Sequence, residues 1–117
     1  MQDAEKTRKL NDLARLKINQ CLIITSEGVD DLDSHDFIMQ SIKGYDFTEH
    51  NEPEDMHDFG VIWVEDQAVF WEIQCFEKDL RTPAVDPSNT ATTARVLSIM
   101  LDDEYLRHSR PKPICLQ

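Results

Sequence analysis

Between His50 and Asp58, six side chains are able to bind a metal: His50, Glu52, Glu54, Asp55, His57 and Asp58. Imidazole and carboxylate together suit zinc or manganese. No pair among them shows a recognised ligand spacing, so the plain reading is a solvated acidic loop with two incidental histidines. Asp31, Asp33 and His35 imitate the opening of a calcium-binding loop. Such a loop needs glycine at its sixth position and a carboxylate at its twelfth. Here those positions are Asp36 and Ile42, and the match fails. Cys21 lies in an apolar run, which keeps a thiol protonated and inert. Asp58–Phe59–Gly60 echoes the metal-binding tripeptide of protein kinases, but no Gly-rich or catalytic loop accompanies it. The residues predict no enzyme, no metal and no cofactor.

The carboxylates can act in another way, as a charged surface. Between Ser26 and Asp58 there are eleven acids and one base, Lys43, for a net charge of −10. Phe59–Leu80 adds −4, whereas Met1–Thr25 carries +2 and Arg81–Gln117 carries +1. Charge gathered like this produces a directed field that selects partners. Its sign is wrong for holding phosphates, so direct nucleic-acid binding is not expected. It is right for imitating them: duplex DNA carries roughly one negative charge per 1.7 Å of axis. A folded array of acids can compete for the same Lys/Arg groove. The plain alternative is that acidity serves only solubility.

Ala4 to Asn19 reads as a helix. Leu10, Leu13, Leu16 and Lys17 lie on one face, with Lys6, Arg8, Lys9 and Arg15 on the others. Cys21–Thr25 reads as a short buried strand and Ser26–Gly28 as a turn. A second helix is predicted from Ser34, a good N-cap, to Gly44, with Phe37, Ile38, Ser41 and Ile42 inward. Tyr45–Asp58 reads as an irregular acidic loop interrupted by Pro53. Phe59–Val64 and Ala68–Phe76 form a hairpin about a polar turn at Glu65–Gln67. On its second strand Val69, Trp71, Ile73 and Cys75 share one face, while Phe70 and Phe76 fall on the polar side. After a loop with Pro83 and Pro87, Thr90 or Thr92 caps a last helix running to Leu106, with Ala94, Val96, Leu97, Met100, Leu101 and Tyr105 inward.

The order α-β-α-β-β-α predicts an α+β fold, a small, mainly antiparallel sheet of about three strands covered by helices on one face. Residues 1–107 make one domain and 108–117 an extended tail. The 117 residues suffice for a core without metal or disulfide. Cys21, Cys75 and Cys115 are odd in number and widely spaced, which suits a reducing cytosol. No signal peptide and no membrane-spanning run is seen, so a cytoplasmic protein without membrane contact is expected.

The chain resembles a family of short uncharacterised bacterial proteins, classed only as a conserved domain of unknown function. The resemblance spans roughly Thr7 to Leu106. It is carried by Leu10–Asn11–Asp12, His57–Asp58–Phe59–Gly60, Val69–Phe70–Trp71–Glu72–Ile73, Asp79–Leu80 and Asp86–Pro87. Thr93–Ala94–Arg95–Val96–Leu97–Ser98–Ile99–Met100–Leu101 and Glu104–Tyr105 complete it. Two departures stand out. Lys17–Ile18–Asn19–Gln20 replaces a Gly-rich turn, and Glu72 replaces a Lys after the Phe-Trp pair. The resemblance implies a shared fold and no established activity. It also implies a setting among plasmid and phage genes, where inhibitors of host defence are common.

The expectation is a non-enzymatic acidic interaction protein. Its partner is a nucleic-acid-binding protein or ribonucleoprotein complex with a basic groove, such as a CRISPR surveillance complex or a restriction enzyme. Asp30, Asp31, Asp33, Asp36, Glu49, Glu52, Glu54, Asp55 and Asp58 are the expected contacts, with Phe70 or Phe76 as an aromatic anchor. One alternative is an accessory module that binds through its hairpin edge or its basic first helix. Another is a small metal-dependent enzyme using His50, His57 and Asp58.

Overall fold

A computed structural model describes residues 4–17, 21–48 and 56–109. The first helix, α1, runs Ala4–Lys17, and strand β1 follows at Leu22–Thr25. Two short helices come next, α2 at Glu27–Leu32 and α3 at His35–Lys43. The hairpin is β2, Phe59–Val64, with β3, Gln67–Glu77. Strand β4, Thr93–Leu101, leads directly into helix α4, Asp102–Ser109.

The sheet has four strands in the order β1-β4-β3-β2. β4 pairs antiparallel with β3 and parallel with β1, so the expected three-stranded sheet gains a strand and becomes mixed. The added strand is the stretch expected to be the last helix. β4 is central and buried along most of its length, from Arg95 to Ile99. A strand covered on both faces reads as a continuous apolar run, and its spacing then fits a helix equally well. Thr90 and Thr92 accordingly lie in turns and cap nothing, and the helix begins only at Asp102. It continues to Ser109, past the Leu106 expected as the end of the last helix. Residues 110–117, Cys115 among them, lie outside the described residues.

One face of the sheet carries the core. Ile62, Val64, Val69, Trp71, Ile73, Leu97 and Ile99 pack against Val29 of α2 and Ile38 and Ile42 of α3. Trp71 is fully buried, with Tyr45 edge-on at 5.4 Å and Phe47 at 6.0 Å. Gly60 stands opposite Trp71 in the register, where a Cβ would fall onto the indole nitrogen and the Tyr45 ring. Only glycine allows that approach.

The register puts Leu22, Ile24, Phe59, Val61, Trp63, Phe70 and Phe76 on the opposite face. There Tyr105 of α4 packs on Phe59 and Phe70, at 5.6 and 4.8 Å between ring centres. Trp63 is 63% exposed, and Leu22 and Ile24 are 50% exposed. β1 is therefore an edge strand with one open side, not the buried strand expected from its apolar run.

Three further expectations are corrected. Ser26–Gly28 is no free turn: the Ser26 hydroxyl caps α2 by accepting from Val29 N–H at 3.2 Å. Ser34 precedes α3 but makes no side-chain cap; its hydroxyl donates to the Leu32 carbonyl instead. The inward face of α1 also differs. Leu13 and Leu16 are exposed, whereas Thr7, Asn11, Ala14 and Arg15 are buried. Asn11 and Arg15 turn inward to hydrogen-bond partners far along the chain, whereas the buried Thr7 hydroxyl has none among the described residues.

Candidate functional site

Two regions concentrate charge. The first is the corner made by α2 and α3. Asp33 ends α2 in the left-handed conformation, φ 54°, and its N–H bonds to the Asp30 carbonyl, so the chain turns sharply into α3. Asp and Asn tolerate this conformation better than most side chains. The turn gathers Glu27, Asp30, Asp31, Asp33 and Asp36 on two consecutive helices, and all five are exposed. Asp30 accepts from the Thr25 hydroxyl at 2.7 Å and contacts His35 Nε2 at 2.9 Å. The Thr25 bond first, then His35, holds its carboxyl below the usual range. The side chains of Glu27, Asp31, Asp33 and Asp36 have no ion-pair partner among the described residues.

The other expected contacts are not part of this corner. Asp58 is half-buried at the start of β2, where its carbonyl accepts from Ile73 N–H at 2.8 Å. Phe70 packs under Tyr105, and Phe76 is half-buried and bridges to Pro83. Glu49, Glu52, Glu54, Asp55 and His50 lie outside the described residues. Among the described residues no group of three or more His, Cys, Asp or Glu is placed to hold a metal ion.

The second region is a polar seam beneath α1, which the sequence reading did not single out as a site. Arg15 is buried and donates to the carbonyls of Ile42 at 3.0 Å and Lys43 at 2.7 Å, the C-terminal end of α3. A cation there complements the helix dipole. It also pairs with Asp12 at 3.0 Å. Asp12 in turn meets His57 Nδ1 at 2.8 Å, and the His57 ring stacks on Phe47 at 4.1 Å. His57 holds a left-handed φ of 57°, a conformation uncommon outside glycine.

Deeper in the seam, Asn11 joins three parts of the chain. Its amide donates to the Met56 carbonyl at 3.0 Å, and its oxygen accepts from Arg95 Nε at 2.9 Å. Arg95 also donates to the Pro87 carbonyl at 2.7 Å, and Asp86 holds that loop by accepting from Ser88. Cys75 stands beside Arg95 in the register, and burial pushes the thiols of both Cys75 and Cys21 up. The signal available in sequence was Asn11 and Arg15 at helical spacing, together with His57 and Arg95 inside the motif stretches.

A third arrangement ties the two ends of the fold. Glu104 of α4 accepts from Gly28 N–H at 3.1 Å and Leu101 N–H at 2.8 Å, and the Ser26 hydroxyl donates to it as well. A carboxylate thus caps the N-terminal end of α2. Gly28 leaves room for it, since a Cβ would meet Glu104 Oε2 at 2.8 Å and Leu101 Cδ1 at 2.5 Å.

In comparisons with known proteins, residues 24–104 match the family model described as "Protein of unknown function (DUF3768)". No curated protein and no solved structure matches the chain. The matched stretch runs from the second half of β1 to the first turn of α4 and takes in both the acidic corner and Arg95.

Proposed function

The chain belongs to this family of unknown function, and from that premise we propose that it is a non-catalytic acidic interaction protein. In this reading it occupies a basic, nucleic-acid-binding groove on a partner protein or ribonucleoprotein. The supporting observation is the α2–α3 corner, where five carboxylates are exposed and only Asp30 meets a base, His35. Solvent-facing and mostly unpaired, they project a field of one sign, which steers a cationic surface toward them. Defence complexes such as a CRISPR surveillance complex or a restriction enzyme carry such grooves. Inhibition by occupying the groove is the role we propose.

The test is competition. The chain is titrated against a candidate partner bound to labelled duplex DNA, at several salt concentrations. Displacement that weakens steeply with salt is expected. Displacement that survives reversal of Asp30, Asp31, Asp33 and Asp36 to Lys overturns the reading.

A second reading has its own support. The sheet face opposite the core exposes Trp63, Leu22 and Ile24. A large exposed aromatic on an open sheet suits a protein-binding module. Under that reading Trp63→Ser abolishes partner capture, and the four charge reversals leave it intact.

A further inference from the structure

We infer that a cavity beside α1 is a binding site for a small carboxylate with a short apolar tail. The cavity measures about 190 Å³. One wall is apolar, from Leu10, Leu13 and Ala14 of α1. The other is polar and cationic, from Lys78, Thr90, Thr93 and Arg95. No acid lines it, in a chain whose net charge is −11.

Arg95 is what makes this more than a surface dent. It is 8% exposed, and its two acceptors, the Asn11 amide oxygen and the Pro87 carbonyl, are both neutral. A guanidinium has five N–H donors, so others remain after these two bonds. Among the described residues neither Arg95 nor Lys78 has a carboxylate within ion-pair distance. Cys21 and Cys75 do not supply the missing charge, because burial keeps both thiols protonated. A buried cation without a counter-charge is costly. Arg15, at 6% exposure, shows the ordinary solution: it has Asp12. Among the described residues Arg95 has no such carboxylate, and it lines a cavity that an anion from solution can complete.

The shape of the cavity narrows the class. About 150 Å³ holds a benzene ring and a water occupies about 30 Å³, so this space fits a carboxylate of a few carbons. A guanidinium matches carboxylate and phosphate alike. The apolar wall of α1 favours the carboxylate with a hydrocarbon tail.

The experiment titrates butyrate, and separately inorganic phosphate, into the intact chain at constant ionic strength. Amide resonances of residues 10–14 and 90–95 report binding. Arg95 itself holds Asn11 and Pro87 in place, so Lys78→Met and Leu13→Asn, both at exposed positions, carry the test. Saturable shifts with butyrate are expected, weakened about five-fold in Lys78→Met, as loss of one partly exposed ion pair implies. Weakening in Leu13→Asn and a poorer response to phosphate are expected too. No saturable shift with butyrate overturns the site. Equal binding by Lys78→Met, or phosphate binding as tight as butyrate, overturns its assignment to this cavity or to this class.

Discussion

At the α2–α3 corner, five carboxylates face solvent and only one meets a base; beneath α1, Arg15 and Arg95 are buried against carbonyls and amides. The corner charges keep their hydration, so their presence costs the fold little and their field reaches outward. The seam charges have lost their water, and every donor left unpaired there is expensive. Burial, and not charge itself, decides whether a charged residue of this protein serves the fold or faces solvent.

The largest expected effect tests the seam. Arg15→Ala removes the bonds to Ile42 and Lys43 and leaves Asp12 with His57 alone, costing about 3 kcal/mol. Urea denaturation checks it, and a loss below about 1 kcal/mol would place Arg15 with the surface charges. Gly60→Ala adds no charge anywhere. It forces a methyl onto Trp71 and Tyr45 and should cost about 2 kcal/mol by overpacking, read as a lower midpoint at unchanged slope. Glu104→Gln keeps the shape and removes the charge at the start of α2, so about 1 kcal/mol is expected. That places Glu104 between the two regions, since it is only part-buried.

The corner should respond least. The double change Asp31→Asn with Asp33→Asn should alter stability by no more than about 0.5 kcal/mol while reducing affinity for a polycation such as polylysine. A large loss of stability would erase the contrast drawn here. The smallest effect concerns pH. Bonds from Thr82 first, and then the Arg81 N–H, hold the exposed Asp79 carboxyl at about 2, below its ordinary 3.8. A depressed carboxyl stabilises the fold above its unfolded value and loses that contribution as pH falls. The advantage of wild type over Asp79→Ala should therefore be full above 3.8 and fade as pH approaches about 2.

The hairpin was legible because one face of each strand is buried and the other half-open. Val69, Trp71 and Ile73 alternate with Phe70, Glu72 and Gln74, and this period belongs to a strand alone. β4 was not legible because it lies between β1 and β3 under cover on both faces. Val96 and Leu97 are adjacent in sequence and both buried, which a helix explains as readily as a strand. The inward face of α1 was hidden for another reason. Leucines at helical spacing look like a core face, yet Asn11 and Arg15 went inward because Met56, Ile42, Lys43 and Arg95 offered partners. Those partners lie 27 to 84 residues away along the chain. No local pattern contains them. The exposed carboxylates of the corner were legible, since acids at α2 and α3 need no distant partner to remain in water.

The parallel pairing of β1 with β4 carries a consequence for how the protein is made. Leu22 lies beside Val96, so the first strand of the sheet to be made is not hydrogen-bonded in it until β4, the last, has emerged. The β2–β3 hairpin has its whole register in hand long before, and gives β4 an edge to join. At roughly 5–20 residues per second, synthesis leaves Leu22–Thr25 waiting for several seconds. During that interval the nascent chain carries an unpaired apolar strand, with the acid-rich stretch translated directly after it.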